Sequence, residues 1–171
     1  MDGYVQVYTG DGKGKTTAAF GLALRAVGAG LKVYIAQFVK GMDYSELKSI
    51  ERYSDLITLK QYGRGCFIRN EPAEEDIRLA REALEEVRAI IQSGDYQLVI
   101  LDEANIAVFY NLFSIDDLIE LIETRPNGVE LVMTGRRADP RLIEKADLVT
   151  EMKEIKHYYE KGVEARKGIE S

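Results

Sequence analysis

The stretch TGDGKGKTT at residues 9–17 decides how the rest of the chain can be interpreted. It follows a short apolar run at residues 4–8 and opens onto AAFGLALRAV at residues 18–27, so we expect it where a strand turns into a helix. Glycines let consecutive backbone N–H groups turn inward at such a point, and a helix N-terminus adds partial positive charge. This combination is typical of a loop that binds a polyphosphate.

The loop matches the usual phosphate-binding pattern except at its first position. That pattern is Gly, four residues and then Gly-Lys-Ser/Thr; Gly14, Lys15 and Thr16 satisfy its end, whereas Thr9 replaces the first glycine. Lys15 can supply an ammonium group and Thr16 a magnesium-ligating hydroxyl. The alternative is a glycine-rich turn without a ligand, but alternating glycines have an entropic cost that a simple turn does not require. We therefore predict phosphate binding.

The composition is that of a soluble globular protein with the size of one domain, at 171 residues, 46% hydrophobic and 30% charged. Acidic residues outnumber basic ones by 29 to 23, and this net charge of −6 disfavours nonspecific nucleic-acid binding. The single cysteine, Cys66, cannot form an intramolecular disulfide, and with one histidine there is no Cys/His zinc set. No apolar run approaches the length of about 20 residues that crosses a membrane, and no signal peptide is evident. We expect a cytoplasmic protein.

Hydrophobic periodicity predicts strands that alternate with helices. Strands are expected at residues 4–8, 32–38, 56–62, 96–103, 129–134 and 148–152, and helices at 16–29, 43–53, 72–93, 114–124 and 139–146, with a helical or irregular segment at 104–110. A strand, a crossover helix and a second strand within residues 4–38 form a βαβ unit, which implies parallel pairing. The chain is therefore expected to be one α/β domain over residues 1–171, with a mostly parallel sheet and helices on both faces.

Polar side chains follow several of these strands, at the edge where parallel sheets bind ligands. Asp102 and Glu103 end the fourth predicted strand, as in the Walker B arrangement that holds Mg²⁺ directly or through water; a strand-end cap is the alternative. Arg136 follows the fifth strand and could reach a phosphate oxygen. Lys40 follows the second strand, as either a second cation near the phosphates or a solvated surface lysine.

The loop GRGCFIR at residues 63–69 follows the third predicted strand. It can contact a flat apolar ligand, or Phe67 and Ile68 can pack beneath the loop itself. We do not assign Cys66 as a nucleophile, because nothing in the chain supplies a paired base. His157 lacks a companion metal ligand and is interpreted as a hydrogen-bonding residue of the C-terminal segment.

Several segments together resemble the ATP:corrinoid adenosyltransferases of the CobA/CobO type. The matching segments are GDGKGKTTAAFG at 10–21, QFVKG at 37–41, LDE at 101–103, TGR at 134–136, KH at 156–157 and GV at 162–163. They occur in the family's order over nearly the whole chain. The extended loop together with the QFxKG strand end is far more selective than a phosphate loop alone. The family's loop also lacks the first glycine.

This resemblance implies a homodimeric RecA-like P-loop fold that transfers the 5′-deoxyadenosyl group of ATP to the cobalt of a reduced corrinoid, with triphosphate leaving. Cobalt(I) is itself the nucleophile, so the protein must neutralise the leaving group and align the reactants. The implied partners are ATP, a corrinoid and a flavoprotein reductant, with no nucleic acid and no membrane. Longer family members carry an extra N-terminal segment that covers the corrinoid, whereas only residues 1–3 precede the first predicted strand here. The family also tends to show a phenylalanine and a tryptophan in the loop after the third strand. This sequence contains no tryptophan, and residues 65–68 are the nearest equivalent of that pair.

The resemblance also implies roles for individual residues. Lys15 and Lys13 are expected to be catalytic because they neutralise the triphosphate. Thr16, Glu103 and Asp102 would hold Mg²⁺. The remaining binding residues would be Lys40 and Arg136 at the nucleotide, Phe67 at the corrinoid, and in the loop Gly10, Asp11, Gly12, Gly14 and Thr17.

Two other functions are compatible with a phosphate-binding loop. A P-loop hydrolase or nucleoside kinase would release ADP and would need a residue that orients water or a substrate hydroxyl at the γ-phosphate. A non-catalytic nucleotide sensor would bind MgATP without turnover.

Overall fold

A computed structural model describes residues 2–39, 45–63 and 71–170 of the chain. The predictions for Lys40, Cys66 and Phe67 lie outside the described residues. The strands are β1 (Val5–Thr9), β2 (Val33–Phe38), β3 (Ile57–Tyr62), β4 (Leu98–Asp102), β5 (Glu130–Thr134) and β6 (Leu148–Glu151). The α-helices are α1 (Lys15–Gly28), α2 (Ser45–Ile50), α3 (Glu74–Ser93), α4 (Ala104–Phe109), α5 (Ile115–Thr124) and α6 (Pro140–Lys145), and 3-10 turns occupy Glu51–Tyr53 and Tyr158–Lys161.

The six strands of the described residues form one sheet in the order β3-β2-β4-β5-β1-β6, and every pairing is parallel. The predicted α/β class and parallel sheet are therefore confirmed. With a glycine-rich loop between β1 and α1, this is the RecA-like P-loop fold. The chain crosses from β1 to β2 through α1, so that β4 and β5 lie between these two strands. The carboxyl ends of β1, β4 and β5 consequently meet at one edge of the sheet, next to the loop.

The sheet is covered on both faces, and neighbouring residues of the central strands point to opposite sides. On β4, Leu98 and Ile100 pack in the cluster formed with α1, whereas Val99 and Leu101 pack in the cluster formed with α3 and α5. All four side chains are at most 3% exposed. This two-sided burial explains why β4 is an uninterrupted apolar run and not an alternating one.

Local signals in the sequence account for several helix ends. Gly94 ends α3 in the left-handed conformation, with φ of 68°. Ser114 begins α5 with a capping box, since its hydroxyl accepts from the Asp117 amide at 3.2 Å and Asp117 accepts from the Ser114 amide at 2.7 Å. Asp139 caps α6 by a single contact, since its carboxylate accepts from the Arg141 amide at 2.8 Å, and Pro140 is the first helical residue. In the described part of the chain, no helix is both long and apolar enough to cross a membrane.

One strand boundary differs from the prediction at a position that matters. We expected the fourth strand to include Glu103, but β4 ends at Asp102. Glu103 has φ of 62° and is the N-cap of α4. The backbone therefore turns sharply between the two carboxylates, and they do not continue the alternation of a strand.

Candidate functional site

The glycine-rich loop, residues 10–14, connects β1 to α1. Gly10 and Gly14 have φ of 94° and 121°, which strongly favours glycine. A Cβ atom on Gly10 would lie 2.4 Å from the carbonyl oxygen of Met152, and one on Gly12 would lie 2.7 Å from the same oxygen. The Gly12 amide also donates a 2.7 Å hydrogen bond to that oxygen. The first two glycines therefore let the loop approach the backbone that follows β6.

Lys15 lies in the interior of this loop. Its side chain folds back so that Nζ donates to the carbonyl oxygens of Gly10 at 2.7 Å and Gly12 at 2.8 Å, and the residue is only 8% exposed. Burial lowers the pKa of Lys15, an effect that nearby Glu103 opposes and Arg136 reinforces. A partly desolvated ammonium group held by neutral carbonyls is a favourable place for an anion.

Thr16 is tied directly to the end of β4. Its hydroxyl donates to Oδ1 of Asp102 at 2.9 Å, and the hydroxyl of Thr134 donates to the same oxygen at 2.7 Å. Oδ2 of Asp102 accepts from Nε2 of Gln37 at 3.1 Å. Asp102 is fully buried, and these three donors supply the compensation that a buried carboxylate requires. The start of α1 and the ends of β2, β4 and β5 are thus joined through one carboxylate.

Glu103 turns toward the end of β5. Its amide donates to the Thr134 hydroxyl at 3.0 Å, and a Cβ atom on Gly135 would lie 3.3 Å from its Oε2. The neighbouring Asn105 is 1% exposed and donates from Nδ2 to the Gly135 carbonyl at 2.9 Å. Among the described residues, Oδ1 of Asn105 has no hydrogen-bond partner. The edge of the sheet therefore carries a carboxylate and a buried free acceptor beside the loop.

Gln37, Thr134 and Asn105 are the site residues that sequence reasoning did not assign. Gln37 is fully buried and links Asp102 to Gln61, whose Nε2 donates to Gln37 Oε1 at 3.0 Å. A signal was available for two of them, because a polar residue near the end of an apolar strand is unusual. Which strand ends meet depends on strand order, however, and the sequence pattern did not specify it.

The remaining predicted residues are spread around the loop. Asp11, Thr17 and Arg136 are exposed, and the electrostatic influence of Asp11 and Arg136 reaches Lys15. Nζ of Lys13 donates to the carbonyl of Ile169 at 2.7 Å and contacts Glu170 at 3.1 Å. Among the described residues there is no cluster of three or more His, Cys, Asp or Glu side chains suited to a metal. A cation bound here would need hydroxyl, water or phosphate oxygens as further ligands.

His157 is not part of this cluster. Its Nδ1 accepts a hydrogen bond from the Tyr159 amide at 3.0 Å and so caps the 3-10 turn at Tyr158–Lys161. This contact agrees with the interpretation of His157 as a hydrogen-bonding residue of the C-terminal segment.

A parallel α/β sheet with a glycine-rich loop before α1, an enclosed lysine and a Thr–Asp pair defines the class of P-loop nucleotide-binding proteins. Comparison with known families narrows this class. Residues 1–171 match the family described as ATP:corrinoid adenosyltransferase BtuR/CobO/CobP, and the chain belongs to this family. The predicted resemblance is confirmed.

Individual relatives agree with that placement. The chain is 37% identical to a corrinoid adenosyltransferase of Pseudomonas aeruginosa, over 98% of this chain and 83% of the relative. It is 33% identical to one from Escherichia coli K12 and 31% identical to the corrinoid adenosyltransferase CobA of Salmonella typhimurium, each over 98% of this chain and 85% of the relative. These similarities support adenosyl transfer and do not favour the hydrolase or kinase alternative.

Proposed function

We propose that the protein transfers the 5′-deoxyadenosyl group of ATP to the cobalt(I) centre of a corrinoid and releases triphosphate. The observation that carries this proposal is the match of the whole chain to one adenosyltransferase family. The enclosed Lys15 beside a Thr–Asp pair supports it, because this arrangement suits a bound polyphosphate. One domain over residues 1–171 would carry the activity.

In this reaction the main task of the protein is to stabilise the departing triphosphate. The electron pair of cobalt(I) forms the bond to the ribose C5′ while the bond from C5′ to the α-phosphate oxygen breaks, and the electrons of that bond leave on triphosphate. Lys15 is proposed to exchange its two carbonyl partners for phosphate oxygens and to stabilise the negative charge. Holding both reactants in line can contribute about 7–11 kcal/mol, without any covalent catalyst from the protein.

Magnesium is proposed to accompany the nucleotide, and the donor set fits it. The Thr16 hydroxyl donates a hydrogen bond to Asp102 at 2.9 Å, and a threonine hydroxyl oxygen at this position of a phosphate-binding loop is a suitable ligand for Mg²⁺. The Glu103 carboxylate lies at the same edge, near Gly135. Asp102 already has three donors, and it would act mainly by orienting Thr16. When bound, the ion would shield the charge on the phosphate oxygens.

The other predicted roles remain proposals. Lys13 and the loop residues Gly10, Asp11, Gly12, Gly14 and Thr17 would hold the triphosphate. Arg136 and Lys40 would add positive charge, and Phe67 would contact the corrinoid. A flavoprotein would supply reduced cobalt, and the protein would work in the cytoplasm.

A homodimer is also proposed, and the exposed edge of the sheet supports it. Among the described strands, β6 pairs only with β1, and all four of its residues are exposed. Leu148 and Val149 are 45% and 40% exposed. An apolar open edge strand is a favourable surface for pairing with a second copy.

The test combines product analysis with one variant. Incubation with MgATP and chemically reduced cobalamin should give a light-sensitive cobalt–carbon product and triphosphate in equal amounts, and Lys15→Ala should form both about 10²–10³-fold more slowly. Release of ADP and phosphate would instead support the hydrolase or kinase alternative. Binding of MgATP with no product under any reductant would support the nucleotide-sensor alternative.

A further inference from the structure

The residues that follow β6 fold back over the glycine-rich loop. We refer to residues 152–170 as the tail. Its first residue, Met152, donates from its amide to the Thr9 carbonyl at 2.8 Å and accepts from the Gly12 amide at 2.7 Å. The beginning of the tail is therefore hydrogen-bonded to the residue before the loop, Thr9, and to the middle of the loop, Gly12.

The far end of the tail contacts the next residue of the loop. Nζ of Lys13 donates to the Ile169 carbonyl at 2.7 Å and to Oε1 of Glu170 at 3.1 Å. Two adjacent loop residues, Gly12 and Lys13, are thus bonded to the tail, whereas Lys15 is bonded to carbonyls of the loop itself. In this structure Lys15 is hydrogen-bonded within the loop, whereas Lys13 is hydrogen-bonded to the tail.

Glu170 is the centre of this contact. Its carboxylate accepts from the Tyr158 hydroxyl, from the Arg166 amide at 2.8 Å and from the Arg166 guanidinium at 3.2 Å, in addition to Lys13. These donors, led by Arg166, hold the pKa of the Glu170 carboxyl well below its usual range. Only 15% of the Glu170 side chain is exposed, although Lys13 and Arg166 are about half exposed. A carboxylate with so many donors fixes the shape of the tail and the place where it meets the loop.

We propose that Glu170 is a positioning residue for nucleotide binding, which acts through Lys13 to hold the glycine-rich loop in the shape that receives triphosphate. The inference rests on the proposed nucleotide site. Three of the five residues at positions 10–14 are glycines, so the free loop would lose much conformational entropy on binding. A loop that is already fastened at Gly12 and Lys13 loses less, and binds more tightly for that reason.

The contact between Glu170 and Lys13 has two possible effects on nucleotide binding, and they predict opposite changes in the Kd. If Glu170 competed with triphosphate for Lys13, its removal would strengthen nucleotide binding. If Glu170 anchors the loop, its removal weakens binding. The variant Glu170→Gln keeps the size of the side chain but removes its charge and replaces one accepting oxygen with an NH₂ donor. Glu164→Gln, on an exposed glutamate of the same tail, is the matched control.

Three measurements test the proposal on the full chain. In nucleotide-free protein, amide hydrogen exchange of residues 10–15 should be faster in Glu170→Gln than in the wild type, and unchanged in Glu164→Gln. The Kd for MgATP from calorimetry should rise about two- to fivefold in Glu170→Gln, as expected for loss of an ion pair whose lysine is about half exposed. The KM for ATP should rise by the same factor, with kcat changed less than about twofold. Unchanged exchange and Kd, or a lower Kd, would overturn the proposal.

A double-mutant cycle then asks whether Glu170 acts through Lys13. Lys13→Met removes the contact from the side of the loop and leaves the bonds of Glu170 to Tyr158 and Arg166 in place. Adding Glu170→Gln to Lys13→Met should change the loop exchange little, because the link is already broken. Additive effects would contradict the proposed route. Failure of the wild type to bind MgATP would count against the proposed function, whereas the exchange rates of nucleotide-free protein report on the anchor by themselves.

Discussion

The hydroxyl of Thr16 donates to Oδ1 of Asp102 at 2.9 Å and so joins the first turn of α1 to the end of β4. The same carboxylate also holds Thr134 and Gln37, so that the strands β2, β4 and β5 and the helix α1 share one buried acceptor. Removal of its charge should therefore affect both the stability of the fold and the geometry of the nucleotide site.

Asp102→Asn is expected to destabilise the protein, because one of three donors would then face an amide NH₂ instead of an oxygen. A buried donor left without an acceptor costs about 1–3 kcal/mol, and we expect a loss of this size in the free energy of unfolding. MgATP binding should weaken as Thr16 loses its fixed orientation. Chemical denaturation and calorimetry measure the two effects. Asp95→Asn, at an exposed position, should match the wild type, and an Asp102→Asn protein with wild-type values would contradict this account.

Lys15→Ala should lower the rate of adenosyl transfer by about 10²–10³-fold, the effect of removing one group that stabilises developing negative charge. The fold should tolerate the change. Burial lowers the pKa of Lys15, so folding without nucleotide does not favour its charged form, and losing that charge should cost little in the free energy of unfolding. Single-turnover kinetics and thermal unfolding test the two statements together. The exposed Lys32→Ala provides the control for a lost lysine charge. A Lys15→Ala enzyme with near-normal turnover would remove Lys15 from the proposed mechanism.

Gly12→Ala should damage the loop, whereas Gly21→Ala should not. A Cβ atom on Gly12 would lie 2.7 Å from the Met152 carbonyl oxygen, so the loop or the backbone after β6 must move. A Cβ atom on Gly21, inside α1, meets nothing within 4 Å and should raise stability by about 0.5–1 kcal/mol through helix propensity. Thermal unfolding and MgATP titration of both variants distinguish the outcomes. Equal behaviour of the two variants would show that the close approach at Gly12 is unimportant.

The contribution of Glu170 to stability should depend on pH with a defined sign. Lys13, Arg166 and Tyr158 face its carboxylate, and its pKa in the folded protein lies below the ordinary value of 4.5. A lowered pKa gives a stabilisation that is fully present above the unfolded value and is lost as the pH falls through the folded value. The difference in unfolding midpoint between wild type and Glu170→Gln should hence be constant from about pH 7 to about pH 5 and narrow in stronger acid. A difference that grows toward acid pH would contradict the ion-pair network.

Much of the site could be predicted because it depends on local sequence. The glycine-rich loop, the lysine at its end and the carboxylates after an apolar run are contiguous signals, and the structure brings Lys15, Thr16 and Asp102 together. Thr9, which replaces the first glycine, also has a local explanation: its buried hydroxyl accepts from the Ala138 amide at 3.2 Å, at the β5–α6 connection. A glycine at position 9 could not accept this hydrogen bond.

The contacts that sequence reasoning missed depend on which distant segments meet. Gln37 and Thr134 reach Asp102 only because β2 and β5 flank β4, and periodicity does not encode strand order. The wrong boundary at Glu103 has a different cause, since the left-handed backbone there is set by its surroundings and not by its own preference. Sequence reasoning assigned no role to Glu170, because nothing near it in sequence points to a residue 157 positions away.

The bonds between the loop and Met152, Ile169 and Glu170 also constrain the order of assembly during synthesis. Lys13 leaves the ribosome 157 residues ahead of Glu170, one of the groups that fasten the loop. Closing so long a stretch of chain is slow compared with forming a local turn. Until the tail has been translated, the loop of an emerging chain lacks these bonds, and it can be fastened only after the tail has left the ribosome.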